Sequence, residues 1–234
     1  MRRLVEGFKS ADARCAGALL YTALMLTVLE YRFLPSRIDQ AASRRGAGAS
    51  LASGVEWSLA CVVGYAVVPA LLVRLFHGEG LGAIGYRLAG LRRHIWIYLG
   101  LYALMVPVLL FVSNRRDFLA TYPFVRSARL DLGDFVAWEA AYVAQFFALE
   151  AFFRGYLLFT LERRLAWNAV FVMAVPYCMI HYHKPLPEAF GAVGAGVLLG
   201  GLALRLRSFV GGAVLHALVA VTMDVLAARK GGLL

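Results

Sequence analysis

The chain has 234 residues, of which 61% are hydrophobic and 16% charged, and its formal net charge is +10. Ordinary soluble domains are roughly half apolar and about a quarter charged. The composition therefore excludes a disordered regulator, a disulfide-stapled secreted domain and a nucleic-acid module, and it predicts a multi-pass membrane protein. The basic residues lie between apolar runs, which is typical of contact with phospholipid head groups and not of nucleic-acid binding.

Seven stretches are predicted to span the membrane, since a spanning helix needs about 20 mostly apolar residues. In chain order they cover about Ala13–Leu34, Val55–Phe76, Ile95–Ser113, Phe135–Leu161, Ala166–His181, Ala189–Leu206 and Val210–Ala228. Residues 77–94 are basic with scattered apolar positions, a pattern typical of a short helix along the membrane surface. The predicted fold is an all-α polytopic bundle of seven or eight helices, with N-terminal helices over 1–130 and a functional core over 131–230.

Small residues are concentrated in the sixth stretch and cysteines are few. Gly196 and Gly200 form a GxxxG pair, which favours close helix packing inside one bundle over dimerisation. Cys15, Cys61 and Cys178 lie in apolar stretches and are odd in number, so no disulfide framework is expected. No Cys/His spacing indicates a zinc cluster.

The ionisable residues inside the predicted spans of the core include Glu150, Arg154, His181, His216 and Asp224. A charge near the bilayer centre costs about 2.5–3.5 kcal/mol on insertion scales, so such residues are paired, hydrated or functional. Glu150 and Arg154 are four residues apart and share one helix face. They form either a structural ion pair or a carboxylate oriented for chemistry.

Two other ionisable groups, Glu139 and Glu188, are interpreted as structural, and Asp224 is left open. Glu139 shares a helix face with Glu150 but lies about 16 Å along the axis, so it is predicted to be separate. Glu188 either pairs with Lys184 or caps the sixth helix. Asp224 either bonds to another helix or points into the same cavity as His216, and the sequence leaves both alternatives open.

The set of residues allows a definite chemistry. A carboxylate and a histidine sharing one water act as a general base, and a second histidine can donate to a developing oxyanion. Together they would hydrolyse a peptide bond without a nucleophilic serine and without a cofactor. The alternative is a divalent metal such as zinc, because His₂Glu is a catalytic zinc set, but the chain has no HExxH motif.

Three segments carry a family resemblance: LEAFFRGYLLF, PYCMIHYHKPLPEAFGAVGAGVLLG and SFVGGAVLHALVAVTMD. Over about residues 135–228 the chain resembles the CPBP family of CAAX prenyl protease and bacteriocin-processing intramembrane endopeptidases. The family pattern is EExxxR, then an aromatic residue four before a histidine, then HxxxN or HxxxD. The matching positions are Glu150 as the second Glu, Arg154, Tyr177, His181 and His216.

The resemblance implies a glutamic-type protease, in which the first Glu and first His activate water while the last His and Asn bind the oxyanion. Two positions depart from the pattern. Leu149 stands where the first Glu is expected, and Ala220 stands where the Asn or Asp is expected. Either Glu150 and Asp224 take over these roles or the protein is inactive. The HxxKPxxE form is similar to a bacterial branch that includes the myxosortase-type enzymes.

The predicted function is therefore an intramembrane endopeptidase that cuts a membrane-associated protein or peptide, with a C-terminal processing or sorting signal as the target that the branch implies. Its expected surroundings are the lipid bilayer of a bacterial cytoplasmic membrane, and no nucleic-acid partner is expected. Three alternatives remain: an inactive membrane scaffold, a metal-dependent protease and a proton-coupled transporter. The scaffold predicts that Glu150→Gln is functionally silent.

Overall fold

The computed structural model describes residues 10–35, 49–88, 91–125 and 131–232. These ranges are helical, apart from turns and an isolated bridge between Ala49 and Val125. The predicted all-α fold is confirmed for this part of the chain. The division at residue 130 stays a prediction.

The α-helices are numbered in chain order. They are α1 Ser10–Val28, α2 Leu51–Phe76, α3 Leu91–Val112, α4 Arg116–Thr121, α5 Leu132–Glu150, α6 Leu158–Leu165, α7 Ala169–Met179, α8 Leu186–Leu206 and α9 Val210–Lys230. Wider π-helical turns continue α1 over Leu29–Phe33, interrupt α2 at Val63–Val67, end it at Leu72–Phe76 and join α5 to α6 over Ala151–Leu157. Short 3₁₀ turns lie at Leu81–Ile84 and Ala166–Asn168.

Within the described residues, five helices are long and apolar enough to cross a membrane: Ala13–Phe33, Leu51–Phe76, Leu91–Val112, Leu186–Leu206 and Val210–Lys230. The protein is thus a multi-pass membrane protein. The fourth predicted stretch is helical throughout the run from α5 to α6, but it is not among these five helices. The predicted count of seven spans stays a prediction.

The fifth predicted span is shorter than expected. Residues 166–181 were predicted to cross the membrane, but α7 has only 11 residues and ends at Met179. Turns follow it, and Pro185 then precedes α8, which carries Pro187 in its first turn. Because a spanning helix needs about 20 residues, α7 alone is too short. His181 therefore lies in the turn after α7 and not on a helix.

The helix α5 lies at the centre of the bundle, between α2 and α9. Its buried residues recur every three or four positions, as a stripe along one side of a helix does; they include Phe135, Trp138, Tyr142, Phe146 and Leu149. The Asp131 side chain accepts a hydrogen bond of 2.9 Å from the Asp134 backbone N–H and so caps the helix start. This central position brings the end of α5 against α7 and α9.

Polar side chains tie the long helices together. Ser58 Oγ of α2 donates to Gln145 Oε1 of α5 at 3.0 Å. Tyr102 of α3 and Thr222 of α9 share a hydrogen bond of 2.7 Å. Beyond the end of α2, Glu79 accepts from Arg14 at 3.0 Å and from Arg163 Nη1 at 2.7 Å. Hydrogen bonds from Arg163, and then from Arg14, hold the pKa of Glu79 below its ordinary value, so this carboxylate stays ionised near neutral pH.

The glycines of α8 allow close approach to α7. A Cβ at Gly196 would lie 3.2 Å from the Tyr177 ring, and one at Gly200 would lie 2.8 Å from the Met173 Cε and 3.1 Å from a Val170 methyl group. Both glycines of the GxxxG pair thus face another helix of the same chain, as predicted for packing inside the bundle. A Cβ at Gly194 meets nothing within 4 Å.

Replacing Gly200 with leucine is expected to destabilise the protein by about 1–3 kcal/mol, because the added carbons overpack a filled contact. Gly194→Leu is the matched control on the same helix, and it should leave stability unchanged or slightly raised. Thermal unfolding of the purified variants measures both. Equal unfolding temperatures for the two variants would contradict the close α7–α8 contact.

Candidate active site

A cavity of about 400 Å³ lies between α3, α5, α8 and α9. Its walls are mostly aliphatic and aromatic. Its polar groups include His181, His216, Lys184 and Glu188. We refer to it as the large cavity. An apolar chamber with a few convergent polar groups is the common form of a binding site.

His216 of α9 is held at the wall of the large cavity by a buried carboxylate. The distance from its Nδ1 to Glu150 Oε1 is 2.7 Å. Glu150 is fully buried at the end of α5 and lines neither the large cavity nor the smaller one described below. Because Nδ1 is engaged by Glu150, Nε2 is the ring nitrogen left for a ligand in the cavity.

Arg154 completes this arrangement. Its Nη1 donates to the same oxygen, Glu150 Oε1, at 2.9 Å, and neither side chain is more than 1% exposed. Its guanidinium carbon lies 3.7 Å from the centroid of the Tyr177 ring, and Nη2 donates to the Ala195 carbonyl at 3.4 Å. The predicted shared face of Glu150 and Arg154 is confirmed, although Arg154 lies on a π-helical turn.

His181 lies on the same cavity, and the backbone of α7 holds it. Its Nδ1 is 2.9 Å from the Tyr177 carbonyl oxygen, which can only accept, so Nδ1 carries the hydrogen. In the neutral ring, Nε2 then has a free lone pair. The side chain is almost fully buried. His181 therefore offers a hydrogen-bond acceptor at Nε2, while the Nδ1 of His216 contacts the Glu150 carboxylate.

A second set of polar contacts lies on the wall of the large cavity. Lys184 Nζ lies 2.9 Å from Glu188 Oε1, and Tyr122 donates to Glu188 Oε2 at 2.5 Å. Of the two alternatives for Glu188, pairing with Lys184 is the one found. Both carboxylate oxygens of Glu188 are thus engaged.

Asp224 is not brought to the other four predicted site residues. It is fully buried on α9, its Oδ2 accepts 2.9 Å from Trp138 Nε1, and it does not line the large cavity. Glu139 of α5 interacts with it. Of the two alternatives for Asp224, bonding to another helix is the one found. A helical offset of eight residues turns Asp224 away from the face of His216.

A metal-dependent protease would need side chains arranged to hold a metal ion. Across the described ranges, no group of three or more His, Cys, Asp or Glu side chains is arranged to hold a metal ion. Glu150 is hydrogen-bonded to His216 and Arg154 and does not line the cavity. The residues present do not form the His₂Glu set that zinc would need, and we derive no step through a metal.

A smaller cavity of about 90 Å³ adjoins the large one. Tyr142, Phe146, His181 and Lys184 line both cavities, so His181 borders each of them. Leu149 and Glu30 line the smaller cavity. Sequence reasoning missed Glu30 because it lies far away in the chain. Its position among apolar residues at the end of α1 was the only available signal.

One comparison with known proteins gives a match. Residues 132–222 match the family model Rce1-like, described as type II CAAX prenyl endopeptidase Rce1-like. No curated protein and no solved structure matches the chain significantly. The matched region runs from α5 into α9 and contains Glu150, Arg154, His181 and His216, whereas Asp224 lies beyond it. The myxosortase-type branch stays a prediction. The match supports membership of the chain in the CPBP family of CAAX prenyl protease-like membrane endopeptidases.

Proposed function

We propose that the protein is an intramembrane endopeptidase of a bacterial cytoplasmic membrane, which hydrolyses a membrane-anchored protein or peptide. The observation that carries this proposal is the pair of histidines on one cavity, of which His216 Nδ1 lies 2.7 Å from the buried carboxylate of Glu150. An acceptor histidine and a carboxylate-backed histidine on one cavity suit hydrolysis of a carbonyl group.

Each residue is assigned a role from its contacts. His181 accepts a hydrogen bond from the attacking water at Nε2 and orients the water oxygen toward the peptide carbonyl. His216, protonated and paired with Glu150, donates from Nε2 to the carbonyl oxygen as negative charge develops there. Glu150 and Arg154 are positioning residues, since they act through His216.

This assignment differs from the pairing that the sequence suggested. Glu150 was expected to activate water together with His181, yet its described hydrogen bonds go to Arg154 and His216. Its other oxygen, Oε2, is buried without a hydrogen-bond partner. We therefore propose that Glu150 serves the oxyanion side of the reaction and assign Asp224 no part in it.

The walls of the large cavity support an apolar substrate segment. Leu104 of α3 and Leu198 of α8 line the cavity and are exposed, so the cavity is open beside them. A substrate held in the membrane could thus reach the cavity from the lipid. A C-terminal processing signal with an apolar segment beside a polar cut site fits this chemistry.

The test is a cleavage assay on purified protein in detergent with membrane-tethered peptides that carry C-terminal signals. Wild type is expected to release two products, with one oxygen from ¹⁸O-labelled water in the new carboxylate. His181→Ala is expected to lower kcat by about 10²–10⁴-fold, because the water loses its acceptor. His94→Ala is the matched control, since His94 lines neither cavity.

A parallel reaction with a metal chelator separates the proposal from the metal-dependent alternative. Cleavage kept in chelator and lost in His181→Ala supports the proposal. Cleavage lost in chelator and restored by added zinc contradicts it. A folded wild-type protein that cleaves none of the peptides favours the inactive scaffold.

A further inference from the structure

We propose that Glu30, at the end of α1, is the general base that takes the proton from the attacking water. This inference rests on the proposed function and names a residue that the assignment above leaves open. It places a catalytic residue on the first helix of the chain, outside the region that matches the family model.

The two cavities share lining residues. His181 lines both of them, and we place the attacking water at its free Nε2, on the side of the smaller cavity. The smaller cavity, about 90 Å³, has room for about three waters at roughly 30 Å³ each. It can therefore hold the attacking water while the substrate fills the large cavity.

The smaller cavity has a carboxylate on its wall. Among the described residues that line the smaller cavity, Glu30 is the carboxylic acid. The acids that line the large cavity are engaged elsewhere: Glu188 by Tyr122 and Lys184, and Asp117 by Arg115 at 2.9 Å. Glu150 lines neither cavity. Glu30 is the carboxylate that shares a water-sized space with His181.

A π-helical turn and a contact with His183 hold Glu30 beside the smaller cavity. It lies in the π-helical turn Leu29–Phe33, and such turns are frequent at functional sites. Its Oε1 is 3.3 Å from His183 Nε2, and its side chain is 39% exposed. The carboxylate is therefore held beside the cavity by His183, and part of its side chain remains exposed.

The reaction balances with this base. As the water oxygen forms a bond to the carbonyl carbon, one O–H bond breaks and the proton moves to the Glu30 carboxylate. The π electrons of the carbonyl move to its oxygen, which His216 stabilises. When the tetrahedral intermediate collapses, the C–N bond breaks and the amine leaves with the proton from Glu30. One water is consumed and the enzyme returns to its starting state.

The experiment moves the carboxylate within the same cavity. Glu30→Gln is expected to lower kcat by about 10²–10⁴-fold with a nearly unchanged KM. Leu149 also lines the smaller cavity, so Glu30→Gln/Leu149→Glu returns a carboxylate to it and is expected to recover at least about 10-fold of the lost kcat. Glu56→Gln removes an exposed carboxylate of α2 and is the matched control.

The outcomes separate this inference from the proposed function. Loss in Glu30→Gln and recovery in the double variant support Glu30 as the base. If Glu30→Gln stays within threefold of wild type while His181→Ala is inactive, the inference is overturned and the proposed function stands. If Glu30→Gln is inactive and the double variant, folded by thermal unfolding, recovers nothing, a role as base is also rejected. A wild type that cleaves nothing overturns both.

Discussion

Glu150→Gln is expected to lower kcat for peptide cleavage by about 10²–10⁴-fold with little change in KM. Glutamine has nearly the same shape and can still accept a hydrogen bond from His216 Nδ1, so the ring stays in place. It lacks the negative charge that stabilises a protonated His216 as an oxyanion donor. The loss should therefore appear in the transition state and not in substrate binding. Steady-state kinetics on the tethered peptide measures it.

A double-mutant cycle with His216→Ala makes this prediction specific. If Glu150 acts through His216, the double variant Glu150→Gln/His216→Ala should be no slower than His216→Ala alone. Additive losses would mean that Glu150 has an independent role, such as water activation. Full activity in Glu150→Gln would contradict the assignment altogether.

Arg154→Met is expected to reduce the free energy of unfolding by about 3–5 kcal/mol, the typical cost of removing one partner of a buried ion pair. Glu150 is fully buried and keeps only His216 as a hydrogen-bond partner once the guanidinium is gone. The stack of Arg154 on the Tyr177 ring at 3.7 Å is lost as well. Unfolding by increasing denaturing detergent in mixed micelles measures the difference.

Two further variants test whether charge is the cause. Arg163→Met removes a partly exposed arginine that pairs with Glu79, and it should cost less than about 1 kcal/mol. Glu150→Leu/Arg154→Met removes both buried charges and should recover most of the stability while remaining inactive. If the double variant is as unstable as Arg154→Met, packing and not charge pairing explains the loss.

The part of the site that lies on one helix was predictable. Two charges four residues apart share a helix face whatever the tertiary structure, so Glu150 and Arg154 were paired correctly. The high cost of charge in an apolar helix also pointed to His216, which is found against Glu150. In the same way, the aliphatic and aromatic runs were sufficient to predict an all-helical membrane protein.

The contacts between helices were not predictable. Which histidine Glu150 meets depends on how α5, α7 and α9 rotate against one another, and no periodicity in one helix reports that rotation. The length of α7 was overestimated because apolar residues continue past Met179, although the backbone turns there. Glu30 was missed because helices distant in sequence meet in space.

The apolar walls of the large cavity also determine which measure of substrate concentration applies to this protein. Leu104 and Leu198 line the cavity and are themselves exposed, so the membrane-anchored substrate that we propose would enter from the hydrocarbon phase and not from bulk water. The quantity that governs occupancy is its mole fraction in the micelle or bilayer. Adding detergent at constant enzyme and substrate therefore dilutes the substrate in two dimensions, and an apparent KM has meaning only at a stated ratio of substrate to amphiphile.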